Sequence, residues 1–349
     1  MVTGQAQLTN ETEDAPVPNG SITLKSASLL LEDEIVYNLY FEIADMTVSE
    51  ENMGLIVWDS EPITPTIYGS GTVMEGVSYV PALGRYVVSS MGIPAKNMGD
   101  LKYMVVYARQ SDGSYVYSRV LPYSAKSYCL NRVENSSDEN LRALCVALMN
   151  YGAEAQKYFA ATSDYTYSEL MNVGFEDYQH LVTDYDAGLL EQPGAVDAAK
   201  AGAFGTKANG FGKRYASMSA DGTFALNYYF TTSAKVEKVV FYYWTSEQYA
   251  AVSKLTAANA SGSKEMTLTD AENTYWASVE DIAAKMIDQT IYACGVYEID
   301  GVTYSTGVIS YSLAKYCITM ASSESDVRDF AAATVVYSYH AKTYFSNKQ

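Results

Sequence analysis

The chain has 349 residues, 48% of them hydrophobic and 18% charged, which is enough to bury sizeable cores and sets a prior of about two domains. Its 23 basic against 41 acidic residues give a formal charge of −18, which excludes a nucleic-acid footprint and an anionic membrane surface as partners. Two His leave little room for His-based metal sites or His-relayed catalysis, and no run of about 18 apolar residues offers a membrane span.

Residues 1–19 (MVTGQAQLTNETEDAPVPN) are polar and acidic and carry Pro16 and Pro18. They read as a linker, with no signal peptide, ahead of a module cut from a longer secreted protein. From residue 20 onward, short Val-, Ile- and Tyr-rich segments follow one another: EIVYNLYFEI, NMGLIVW, GRYVVSSMGI, LKYMVVYAR and SYVYSRVLPY. Turn residues separate them, which predicts several antiparallel strands and hence a sandwich. The period then changes. A short helix is expected near 123–131, and Ser136-Ser137-Asp138-Glu139 reads as a capping box opening a second. Leu141, Leu144, Cys145, Leu148, Gly152, Ala155 and Phe159 follow at helical spacing down one face.

Residues 161–211 form a connector. They contain YTYSELMNVGFEDYQHLV, read as a helix, and then a Gly- and Ala-rich tether. After it the chain repeats itself. NLYF (38–41) returns as NYYF (227–230), LIVWDSE (55–61) as FYYWTSE (241–247), and IPAK (93–96) as IAAK (282–285). DGSYVYSRVLPYSAKSYC (112–129) returns without a gap as DGVTYSTGVISYSLAKYC (300–317). LRALCVALMNYGAEAQKYF (141–159) returns as VRDFAAATVVYSYHAKTYF (327–345), where Val327, Phe330, Ala331, Thr334, Ala341 and Phe345 fill a similar stripe. Five blocks in one order predict an α+β fold of two homologous lobes, 20–160 and 212–346. Each lobe is an antiparallel β-sandwich followed by a small helical cluster.

Cys129 and Cys317 are repeat-equivalent, and none of the four Cys has zinc spacing, so buried free thiols are expected. The sequence lacks a GxSxG elbow, a Walker loop, GxGxxG and HExxH, and His180 and His340 have no partner motif. Residues 183–188 (TDYDAG) space Asp184 and Asp186 like the start of a calcium loop, but Glu191 falls too early to close a twelve-residue EF-hand. No catalytic residue, cofactor or metal is assigned.

The aromatic residues are more informative. Tyr is in excess, 32 against 10 Phe and 3 Trp. Trp58 and Trp244 are repeat-equivalent, each ending an apolar strand, and read either as pins of the lobe cores or as flat platforms. Trp276 stands where the first lobe has Val87, and Tyr275 where it has Tyr86. An aliphatic residue exchanged for an indole in one lobe alone points to a binding surface. Trp58, Trp244 and Trp276, supported by Tyr68, Tyr249 and Tyr275, are therefore the candidate platforms for the C–H faces of sugars.

The segments LRALCVALMNYGAEAQKYF, GIPAKNMGD and DGSYVYS resemble a module of large secreted and cell-surface proteins of gut clostridia, and the two-lobed organisation is similar to that of starch adherence system proteins of the ruminococcal amylosome. The likeness spans residues 20–346, once per lobe; the second lobe departs from it where Asn150 and Gly152 are replaced. It implies a β-sandwich with clustered helices and a non-catalytic, secreted or surface-displayed monomer within a multidomain protein. The implied ligand is starch-like α-1,4-glucan, with maltooligosaccharides as its short form. A protein-binding adhesin or scaffold and a glycoside hydrolase are the alternatives.

Overall fold

The computed structural model describes residues 20–31, 35–159, 180, 183, 191–205, 214–219, 223–232, 235–323 and 325–347. The helix expected in 165–182 and the Asp184–Asp186 loop lie outside the described residues, apart from His180 and Thr183.

The strands form four antiparallel sheets in two pairs. In the first lobe one sheet runs β1 (Ser21–Leu31), β2 (Ile35–Ala44), β6 (Arg85–Ser89), β5 (Ser78–Val80). The other runs β4 (Thr72–Met74), β3 (Met53–Trp58), β7 (Lys102–Arg109), β8 (Tyr115–Tyr117), and β9 (Leu121–Tyr123) also pairs with β7. In the second lobe the first sheet runs β10 (Arg214–Ser219), β11 (Phe224–Thr231), β15 (Thr274–Ile282), β14 (Thr267–Leu268). Its mate runs β13 (Gly262–Glu265), β12 (Val239–Thr245), β16 (Ile291–Ile299), β17 (Val302–Ser305), with β18 (Ile309–Tyr311) on β16. Adding nine to every strand label of the first lobe gives the second.

The sandwiches follow from period-two alternation. Along β2, Tyr37, Leu39 and Phe41 are fully buried while their neighbours are half-exposed, and Met53, Leu55 and Val57 of β3 join the same core. Leu226, Tyr228 and Phe230 meet Val239 and Phe241 in the same way in the second lobe. The repeat extends to single hydrogen bonds. Val106 N–H donates to Ser118 Oγ (3.0 Å), and Gly295 N–H donates to Thr306 Oγ1 (2.8 Å) at the equivalent places.

Each lobe then adds two helices: α1 (Ala125–Asn135) and α2 (Glu139–Tyr158) in the first, and, counting the short α3 (Ala198–Ala201) and α4 (Ser246–Ala251), α5 (Leu313–Ala321) and α6 (Arg328–Ser346) in the second. Ser124 and Ser312 cap α1 and α5 by accepting from Ser127 N–H and Lys315 N–H. The opening of α2 departs from the capping box expected at Ser136–Glu139. Ser136 closes α1, and Asp138 is the cap, accepting from Leu141 N–H at 3.1 Å.

One stripe on α2 is not all that is buried: every residue from Leu144 to Ala153 is covered. The reason is α6, which packs along α2 and joins the two lobes. Tyr151 of α2 stacks on Tyr337 (5.2 Å, 15°) and Phe330 (5.5 Å, 20°) of α6 and meets Phe224 of β11 at 5.5 Å. Lys157 pairs across the lobes with Asp329 at 3.1 Å. Burial would raise the Asp329 carboxyl, but the hydrogen bonds from Arg328 and Lys157 outweigh it and hold it below the usual carboxylate range. All four Cys are buried and free.

Candidate ligand-binding face

β15 sends Tyr275, Ala277 and Val279 into the core, so Thr274, Trp276, Ser278 and Glu280 lie on the opposite face of the sheet. β11 does the same with Tyr228 and Phe230 inward and Asn227, Tyr229 and Thr231 outward. The ladder pairs Asn227 with Ser278, Tyr229 with Trp276 and Thr231 with Thr274. Cross-strand pairing therefore stacks the half-exposed Trp276 on Tyr229, with ring centroids 6.5 Å apart and planes 25° from parallel.

Polar groups border this strip. Asn227 Nδ2 donates to Ser219 Oγ (2.8 Å) and Ser217 Oγ (3.3 Å), and Ser217 Oγ donates to the Tyr229 hydroxyl (3.4 Å). The Thr231 and Thr274 hydroxyls are 3.1 Å apart. At the other end Lys264 Nζ reaches Glu280 Oε1 (3.0 Å) and Ser278 Oγ (3.3 Å), while Ser278 also donates to Glu280. The hydrogen bond from Ser278, aided by that from Lys264, holds the Glu280 carboxyl below its ordinary range, so it stays an ionised acceptor at neutral pH. A half-exposed pair of stacked rings with the exposed Glu280 carboxylate at one end can take a ring whose faces are C–H, while Asn227, Thr274 and Ser278 are buried and brace the side chains around it.

The first lobe builds the same face with half the aromatic surface. Tyr40 pairs with Val87 at the position of Tyr229 and Trp276, and Asn38 accepts from Ser89 Oγ at 2.7 Å. Residue spacing alone singled out Trp276 but missed Tyr229. Its signal was the register: NLYF aligned with NYYF places Tyr229 on the outward face beside the indole.

The other sequence candidates are placed elsewhere. Trp58 and Trp244 lie on the outer face of the second sheet of their lobes, 6% and 0% exposed, each in a cluster separate from the main core. Trp58 is roofed by the loop 59–71. A Cβ on Gly71 would lie 2.5 Å from the indole, so only glycine fits there. Tyr68, on the same loop, is half-buried and edge-on to Tyr115 at 5.9 Å. Trp244 Nε1 donates to Asn259 Oδ1 (3.0 Å), and Phe204 covers its ring at 5.7 Å. Tyr249 is buried against Tyr292, and its hydroxyl accepts from Asp197 N–H at 2.8 Å. Tyr275 is buried too, its hydroxyl accepting from Val236 N–H (3.0 Å) and donating to Val236 O (2.8 Å). These four buried rings offer no free face to a ligand, and Trp276 does not lie beside any other indole.

Among the described residues, no group of three or more His, Cys, Asp or Glu is placed to hold a metal ion, and no helix is long and apolar enough to cross a membrane. Burial raises the Glu154 carboxyl, against the opposing pull of Lys157 at 3.3 Å, in the network that ties α2 to α6.

No protein-family profile matches the chain, and no curated protein sequence resembles it. Among solved structures, one described as "Crystal structure of Br derivative BhCBM56" is 14% identical, over 28% of this chain and 90% of that one, with a TM-score of 0.20. Another, "Biofilm associated protein - BSP domain", is 7% identical over 91% of this chain and 63% of that one, also with a TM-score of 0.20.

Proposed function

We propose that this chain binds carbohydrate without transforming it, and that its ligand is a neutral, starch-like α-1,4-glucan lying across Trp276 and Tyr229. The stacked, half-exposed ring pair with the exposed Glu280 carboxylate at its end carries this reading. A net charge of −18 repels anionic polymers and leaves an uncharged one unaffected. The protein acts outside the cell, as one module of a longer surface-displayed chain. Tyr40 offers a weaker second contact in the first lobe. Two contacts on one chain raise avidity for a repetitive polymer by about 10²–10⁴.

Native gels cast with amylopectin, xylan or a mixed-linkage β-glucan test the reading directly. Retardation in the amylopectin gel is expected. Retardation only in the β-glucan or xylan gel would replace the ligand, and free migration in all three would refute carbohydrate binding.

A further inference from the structure

Glu280 stands at one end of the ring pair, four residues beyond Trp276 on β15 and so about 13 Å along the strand. A bulge sets it there. Leu226 pairs with Val279 and Phe224 with Ile282, so Glu280 and Asp281 together face Ala225. Asp281 takes a left-handed backbone (φ 57°) within the bulge, and Glu280 is exposed beside it.

The Glu280 carboxylate is gripped on one side only. Lys264 Nζ donates to Oε1 at 3.0 Å, and the buried Ser278 hydroxyl donates to the same oxygen. Among the described residues nothing pairs with Oε2, and the side chain is 58% exposed. Two donors on one oxygen orient the group and leave the other oxygen open. An ionised carboxylate only accepts, so whatever meets Oε2 must donate. The Lys264 ammonium is engaged with Glu280 and Ser278, and its charge cancels that of Glu280. The cluster therefore presents one aimed acceptor without a net charge, which suits an uncharged polyhydroxyl ligand.

The first lobe lacks this device. The register of the strands puts Met74 at the place of Lys264 and Met91 at that of Glu280. Ser89, the counterpart of Ser278, donates to Asn38 instead. The first-lobe face does carry a carboxylate, Glu42, at its other end. Both of its oxygens are occupied, Oε2 by Lys25 at 3.1 Å and Oε1 by Arg85 at 3.4 Å. The half-open carboxylate and the two-ring platform thus occur together, in one lobe.

We propose that Glu280 is the specificity-determining acceptor of the second-lobe face. Its Oε2 takes a hydroxyl donated by a sugar further along the same glycan chain that lies on Trp276, and Lys264 is the positioning residue that holds the carboxylate for it. The proposal rests on the glycan reading above. It adds to stacking, which any C–H face satisfies, a hydrogen bond that only a placed donor makes.

Titration calorimetry of the full chain with maltoheptaose tests it, with circular dichroism as the check on folding. The variants are Glu280→Met and Lys264→Met, which carry the first-lobe residues, their double variant, Glu280→Gln and Trp276→Ala. Glu280→Met should weaken binding about tenfold, the loss of a hydrogen bond to a charged group. Glu280→Gln, which keeps a polar end without the charge, should lose less. Lys264→Met should weaken binding about threefold in the parent and not at all in the Glu280→Met background, because it acts only through Glu280. An unchanged Kd for Glu280→Met, with binding lost in Trp276→Ala, overturns this proposal and leaves the glycan reading standing. Equal losses from Lys264→Met in both backgrounds overturn its positioning role. No heat from the parent protein at about 5 mM maltoheptaose refutes the glycan reading and this proposal with it.

Discussion

Replacing Trp276 with alanine removes one ring of the stacked pair and leaves the sheet beneath it intact. A ligand ring lying flat on the indole covers about a third of the roughly 150–250 Å² that a large aromatic side chain can bury, about 70 Å². At about 25 cal/mol per Å² that contact is worth about 1.7 kcal/mol, which is a loss of about 20-fold in affinity. The cost to the fold is smaller. Trp276 is outside the buried core and its main structural contact is the ring of Tyr229, worth about 0.5–1.5 kcal/mol. The assay is depletion from solution by insoluble starch across a concentration series, with circular dichroism as the check on folding. Trp276→Phe should recover most of the loss, since a flat face returns. A Trp276→Ala protein that is folded and adsorbs like the parent would refute the assignment of the platform.

Trp244→Ala should behave in the opposite way. It empties a fully buried site and removes one of the two donors to Asn259 Oδ1, leaving Thr256 N–H, so it should cost about 3–5 kcal/mol in guanidinium unfolding, and any loss of starch retention should track the unfolded fraction. Tyr151→Ala removes the ring shared by Tyr337, Phe330 and Phe224 and should cost about 3–5 kcal/mol. It should also broaden or split the unfolding transition, because the lobes lose the centre of their contact and keep only its end around Phe330 and Lys157–Asp329; a single unshifted transition would refute the coupling. The thiols should resist iodoacetamide at pH 8. All four are buried, and burial pushes the Cys294 thiol up to about 12, so the reactive thiolate is scarce in the folded chain. Labelling that is rapid without denaturant would refute this.

Much of the architecture could be read before any coordinates, for identifiable reasons. A strand's period of two and a helix's period of 3.6 are written in the apolar positions, and an internal duplication checks one reading against the other. The paired helices at 125–158 and 313–346 and the run of strands ahead of each pair belong to this part. What escaped was tertiary. The stripe of α2 looked one-sided, because nothing local announces that α6 covers its other side. Trp58 and Trp244 looked like platforms, because a strand-end indole carries no mark of the loop that roofs it. In the second lobe that roof comes from residues 191–205, far from β12 in sequence, and in the first from 59–71, where Gly71 is the one local clue. Tyr229 was missed because a platform of two rings needs the register between strands, which a list of single residues does not contain.

The slab of rings around Tyr151 has a consequence for the history of the chain. Neither half can be cut free without wetting it: 20–160 alone would expose Tyr151, and 212–346 alone would expose Phe224, Phe330 and Tyr337. A single ancestral copy would have faced the same problem, and the economical remedy is a mate pressed against the same helix. In the duplicated chain the second copy supplies that mate, so each half acts as the other's partner. Away from that shared slab the two halves differ freely, Val87 of one standing where Trp276 stands in the other.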